Sequence, residues 1–260
     1  MHGNSHRRGP LIHPTAIISP QAQLGAEVEI GPFCVLEGAV IIGDHCRVKT
    51  GVVIGAEPMD KKYQGETTAV QIGTENTLFE YVTVHRATGE GSRTLIGDRN
   101  YIMSYVHIAH NCRIGSDCIL TSGVLLGGHS EIHDGACLGG ATGVHQYCRI
   151  GRLAMVGAHT YINRDIPPFM LAAGNPCRVF GLNLIGLQRA GFSREKIAIL
   201  KEAWCLLYRS SLSLDQALNR VEAELLSGPA EIEIRQLLEF CAASQRGIEL
   251  RTTPDREFPL

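Results

Sequence analysis

The 260-residue sequence contains no apolar run approaching the ~20 residues that a membrane-spanning helix requires. Its first ten residues, MHGNSHRRGP, lack the apolar centre of a secretory signal, so the expectation is a cytoplasmic protein. Neither sign of charge is in excess. The 24 Lys and Arg face 26 Asp and Glu, a formal net charge of −2, which argues against general affinity for nucleic acid or anionic membranes. Cys-X-X-Cys pairs are missing too, so the nine cysteines give no zinc pattern. With 44% hydrophobic residues and a mean hydropathy of +0.02, the chain has the make-up of a folded protein rather than a disordered one.

What the sequence has in abundance is a six-residue rhythm. From Ile96 to Pro167, twelve hexapeptides follow without a gap, headed by Ile96, Ile102, Ile108, Ile114, Leu120, Leu126, Ile132, Leu138, Val144, Ile150, Val156 and Ile162. Eight more run from Ile12 to the one headed by Ile54, and Ile72, Leu78 and Val84 head another three. A helix of 3.6 residues per turn carries every sixth residue round to a new face, whereas a short strand followed by a turn returns it to the same one. The rhythm therefore predicts a parallel β-helix. Three strands make a coil of about 18 residues, and coils stack at the ~4.8 Å strand spacing. Eleven hexads have Gly second, read as the place where a tight corner is easiest without a Cβ.

The same frame tests the cysteines. Cys34, Cys46, Cys112, Cys118 and Cys148 all fall at the fifth hexad position, which in at least ten other hexads holds Ala, Val or Thr, so they read as small packing groups. Two polar stretches, 60–71 and 90–95, interrupt the frame and are expected as loops thrown out from the column.

After Pro167-Pro168 the rhythm stops. A Gly/Pro-punctuated connector reaches Leu187, and a helical period follows. Ser193 is positioned to cap a helix to about Arg209, Ser213 and Gln216 have capping-box spacing for a second ending near Gly228, and Pro229 suits the start of a third running to about Gly247. The expected organisation is a β-helix over 11–187, a small helical domain over 188–250 and a flexible tail over 251–260. Apolar residues on the outer face, taken to include Val106, Leu125 and the neighbours of Tyr161, predict self-association of columns with one site repeated per interface.

Histidine is concentrated in the column: His85, His107, His110, His129, His133, His145 and His159. Residues 18 apart stack on adjacent coils, so His110, His129 and His145 fall near one vertical edge. Three uses remain open on spacing alone: a metal site, which needs converging ring nitrogens, a general base, or polar decoration of an interface.

Five segments, Ile12–Ile17 (IHPTAI), Ile30–Cys34 (IGPFC), His107–Cys112 (HIAHNC), Val144–Gly151 (VHQYCRIG) and Gly186–Ser193 (GLQRAGFS), resemble the acyl-carrier-protein-dependent UDP-N-acetylglucosamine O-acyltransferases that begin lipid A synthesis. The resemblance spans about residues 11 to 250. It implies a left-handed β-helix, a homotrimer with active sites in clefts between subunits, and transfer of a 3-hydroxyacyl group from the carrier's phosphopantetheine thioester to the sugar 3-position. No cofactor and no metal are implied. His110 matches the family's catalytic base and Gly128 its backbone oxyanion donor. Asp60, Lys62, His107, Ser122, His129, His145, Gln146, Asn183 and Arg189 match substrate-contacting positions, and Ala158 the position that limits acyl-chain length. The chain departs from the family pattern at Asn111, where Asp is usual, and at Ser122, Ile185 and Ala190. Ala158, where Gly leaves the most room, predicts a donor shorter than the longest in the family. The local excess of cations over 178–209, from Arg178, Arg189, Arg194, Lys196, Lys201 and Arg209, suits an acidic carrier protein.

Related alternatives share the fold. The N-acyltransferase acting later in lipid A synthesis carries a sizeable domain before its coils, whereas here the first hexad begins by Ile12. A coenzyme-A acetyltransferase would lack the GFSRE helix start. A γ-type carbonic anhydrase would need zinc.

Overall fold

The computed structural model describes residues 9–250, and the tail expected at 251–260 lies outside the described residues. Short strands form three parallel sheets in which each strand pairs with the strand one coil on. Leu11–Ile12 pairs with Glu29–Ile30, His107–Ile108 with Leu125–Leu126, and Arg113–Ile114 with Glu131–Ile132. The register through the main run is 18 residues, as the hexads predict. From Ile30 onward the residues at the hexad starts, such as Ile102, Ile108, Leu120 and Leu138, are buried and fill the column. Each such side chain contributes roughly 1.5–3 kcal/mol by leaving water.

The first corner of the triangle joins the first sheet to the second, at 103–106 and 121–124 for example. The second, at 109–112 and 127–130, leads into the third sheet, and the third, at 115–118 and 133–136, returns to the first. At each corner the fourth hexad residue takes the left-handed conformation, and most are not glycine: Asn111 (φ 59°), Asp117 (φ 60°) and His129 (φ 60°) are examples. The second-position glycines have a different cause from the one expected. Apart from Gly55 (φ 85°), their backbone is not left-handed; an added Cβ would meet a neighbouring coil, at Gly97 lying 2.7 Å from the Gly115 carbonyl oxygen.

Fifth-position side chains close the turns. Cys34 Sγ donates to the Lys49 carbonyl (2.9 Å) and Cys112 Sγ to that of Gly127 (3.3 Å), while burial pushes the Cys112 and Cys118 thiols up to about 12. All nine cysteines are free. At the third corner two asparagines, absent from the sequence reading, occupy the same position. Asn76 Oδ1 accepts the Asn100 N–H (2.9 Å), and Asn100 Oδ1 accepts that of Cys118 (2.8 Å). A second ladder runs beside it, as the Asp98 carboxylate caps the Thr74 N–H (2.7 Å) and Asp134 caps that of Ser116 (2.8 Å).

The interruptions lie a few residues earlier than expected, because Ala69–Ile72 and Arg93–Ile96 are strands that rejoin the third sheet. Both loops, 57–68 and 86–92, leave from the second corner. Val106 corrects another expectation: it is fully buried, at an inward fifth position, whereas Leu125 and Tyr161 face outward.

Beyond the coils Met170–Ala173 pairs antiparallel with Arg178–Leu182, inside what was read as a plain connector. Four helices follow: α1 (Leu184–Arg189), α2 (Arg194–Tyr208), α3 (Leu214–Leu225) and α4 (Glu231–Ala242). Ser193 caps α2, and Ser213 and Gln216 form the capping box of α3. The short α1 was not foreseen. The last helix ends before Gly247 because the chain turns back onto the column, where Asp165 N–H donates to the Gly247 carbonyl (2.9 Å) and Asp165 Oδ2 accepts from Arg149 and Ser244.

Candidate active site

The second corner gathers His85, His107, His110, His129 and His145, while His133 and His159 lie at the third and first corners. His107, His110, Gly128, His145 and Gln146 line one groove of about 450 Å³ with Met59, His85 and Tyr161. A larger groove of about 800 Å³, between the third sheet and α4, contains none of the expected site residues.

Three of the four groove imidazoles turn Nδ1 towards a carbonyl oxygen. His85 Nδ1 is 2.6 Å from the Glu57 carbonyl, His145 Nδ1 is 3.0 Å from that of Gln146, and His110 Nδ1 is 2.9 Å from Asn111 Oδ1. A carbonyl oxygen only accepts, so a hydrogen bond at any of these contacts requires the hydrogen on Nδ1. His107 Nδ1 meets the Thr83 hydroxyl at 2.9 Å, and burial, then the neighbouring His85, holds His107 below its ordinary value.

His110 is enclosed, with 13% of its side chain exposed. Asp60 Oδ2, from the first loop, stands 4.0 Å from His110 Nε2, and its Oδ1 accepts the Lys62 N–H at 3.0 Å. That N–H, with the nearby His110, holds the Asp60 carboxyl below its usual range. The His129 ring meets His110 edge-on at 5.3 Å and stacks on Tyr147 at 4.6 Å; burial, then His110, lowers its value.

Gly128 packs directly against the base of the groove. A Cβ there would lie 2.5 Å from His110 Nε2, so no other residue fits this backbone with the ring in place. At the third corner, N–H groups in the equivalent turn position are capped by the Asp ladder. Among the described residues nothing accepts the Gly128 N–H. It is a fixed donor beside an imidazole.

Side chains that the sequence reading did not single out hold the loops. Arg86 donates to the Gly55 carbonyl (2.7 Å) and Glu37 (3.1 Å), pairs with Glu57 and bonds the Tyr63 hydroxyl, which staples the 57–68 loop to the column. Glu66 then accepts N–H bonds from Gln64 and from Gly89 of the second loop. No six-residue pattern marks such partners.

Other expected residues do not join the groove within one chain. Ser122 and Ala158 lie at the first corner and are exposed. Asn183 caps α1, accepting the Gly186 N–H at 3.0 Å, and donates to the Leu153 carbonyl at 2.9 Å; Arg189 is exposed in the last turn of α1. Of the expected cationic strip, Lys196 is tied to Glu233 at 2.8 Å. Among the described residues no three His, Cys, Asp or Glu side chains are grouped to hold a metal ion.

The coiled column of hexads is that of the hexapeptide-repeat transferases: residues 21–56 and 93–128 match the bacterial transferase hexapeptide family. Residues 165–249 match the second domain of UDP-N-acetylglucosamine O-acyltransferase. An acyl-(acyl-carrier-protein)–UDP-N-acetylglucosamine O-acyltransferase of Thermodesulfovibrio yellowstonii is 44% identical, covering 91% of this chain and 98% of the relative. One from Synechocystis is 51% identical over 72% of the chain and 68% of the relative. The crystal structure of a UDP-N-acetylglucosamine acyltransferase from Bacteroides fragilis matches with a TM-score of 0.83 at 35% identity, covering 92% of this chain and 99% of that one. The chain belongs to the UDP-N-acetylglucosamine O-acyltransferase family, and it is an enzyme.

Proposed function

We propose that the protein transfers a 3-hydroxyacyl group from acyl carrier protein to the 3-hydroxyl of UDP-N-acetylglucosamine, the first step of lipid A synthesis. The observation that carries the mechanism is the contact between His110 and Gly128. His110 Nε2 removes the proton as the sugar oxygen attacks the thioester carbonyl. The Gly128 N–H, which no described residue engages, stabilises the tetrahedral oxyanion. On collapse the carbon–sulfur bond breaks, and the leaving thiolate takes the proton back from His110. The reaction needs no cofactor beyond the carrier's own thioester.

Asp60, Lys62, His107, His129, His145 and Gln146 hold the acceptor sugar and diphosphate in this reading. Ser122, Ala158, Asn183 and Arg189 act from other copies of the chain, which agrees with their separation from the groove within one subunit. The assembly is a homotrimer of left-handed β-helices, in the cytoplasm, with 11–187 as acyltransferase domain and 188–250 as helical domain. The Ala158 methyl shortens the acyl channel.

Purified protein given UDP-N-acetylglucosamine and a panel of 3-hydroxyacyl carrier proteins should yield acyl-sugar, identified by mass, with donors shorter than fourteen carbons preferred. No acyl-sugar from any donor contradicts the reading, and preference for a fourteen-carbon donor over ten- and twelve-carbon ones contradicts the role of Ala158.

A further inference from the structure

Asn111 occupies a left-handed turn position next to His110, where a short polar side chain is tolerated. Its amide has three partners. Oδ1 accepts the Thr88 N–H at 2.9 Å, Nδ2 donates to the Thr88 carbonyl at 3.0 Å, and Oδ1 also stands 2.9 Å from His110 Nδ1. The Asn111 N–H is itself fixed on Thr94 Oγ1 at 3.0 Å. Backbone polarity cannot be exchanged: N–H donates and C=O accepts. Thr88 therefore dictates which end of the amide is oxygen. Flipping the amide would break both bonds to Thr88 and set an NH₂ against Nδ1. With oxygen there, only a protonated Nδ1 makes a bond.

We propose that Asn111 is a positioning residue that, clamped by the Thr88 backbone of the 86–92 loop, holds the neutral His110 ring in its Nδ1–H tautomer with the Nε2 lone pair facing the groove. This rests on His110 being the base and adds what fixes its proton. A carboxylate at 111 would still accept from Nδ1 but would set an oxygen against the Thr88 carbonyl and add a negative charge beside the ring. The charged and titratable groups already facing His110 are Asp60 at 4.0 Å, His129 with ring centroids 5.3 Å apart, Lys62 beside Asp60, and His85, His107 and His145 across the groove. None of them changes in a variant at 111.

The test uses the full chain, labelled with nitrogen-15 in histidine, above the titration range of its imidazoles. The His110 resonances should report a protonated Nδ1 and a bare Nε2, and Asn111→Leu should give mixed tautomers. In kinetics, Asn111→Leu should lower kcat about 10- to 100-fold with KM changed less than about threefold, a part of what a general base supplies. Asn111→Asp should keep the tautomer and raise the acid limb of kcat/KM by about one pH unit or more. A protonated Nε2 in the wild-type protein overturns the proposal, as do wild-type kcat and pH profile in both variants. Full activity in His110→Ala with an Nδ1–H ring in the wild type would instead remove the base assignment and leave the tautomer assignment standing.

Discussion

At Gly128 a single hydrogen atom in place of a methyl group decides whether His110 stands where it does. An alanine Cβ would overlap His110 Nε2 at 2.5 Å, so Gly128→Ala should push the ring aside and lower kcat by about 100-fold or more. Steady-state rates check this, and activity within a few-fold of wild type would contradict it. His107 gives a second expectation. Burial holds its imidazole below the ordinary 6.5, so as pH falls the unfolded chain takes up the proton first. The neutral ring's contribution is thus fully present above about pH 6.5 and lost as pH drops towards the folded value. Melting curves should show Tm declining below pH 6.5, less steeply in His107→Gln; equal slopes would contradict this. The 18-residue period was enough to bring His110, His129 and His145 to one corner. Thr88 and Arg86 were illegible because their partners come from loops without a period.

Among the elements, the third corner illustrates how far the hexad frame reaches. The frame located the buried fifth position but not the asparagine ladder, since Asn76 and Asn100 break its small-residue rule. Asn100 bonds the Cys118 N–H and, through Nδ2 at 2.9 Å, the Gly115 carbonyl. Asn100→Ala would leave both buried groups unpaired, and denaturant titration should find about 1–3 kcal/mol of stability lost. No loss would mean that the ladder is dispensable. The helices were legible where caps announce them, at Ser193 and Ser213. The helix capped by Asn183 has six residues, too few to carry a helical period, and its neighbouring hairpin lies in a Gly/Pro-rich stretch.

At the level of the whole molecule, the proposed site draws on Ser122, Ala158, Asn183 and Arg189, which lie away from the groove within one chain. Phe33 and Tyr105 at the first corner are 66% and 63% exposed, and Leu125 beside it 54%, an apolar surface that partner copies would cover. If each site draws His110 from one copy and Arg189 from the next, two inactive variants, His110→Ala and Arg189→Glu, should complement each other. Random mixed trimers from co-expression would then recover about a quarter of the sites, because heterologous interfaces repeat around the ring. Activity no higher than in either variant alone would contradict a shared site. Acyl transfer by His110 against the Gly128 donor is tested most directly by a single turnover. Enzyme in excess over 3-hydroxyacyl carrier protein, with saturating UDP-N-acetylglucosamine, should release free carrier thiol and acyl-sugar in equal amounts. In His110→Ala both should slow together by about 10²–10⁴-fold; an unchanged rate in that variant would contradict the account.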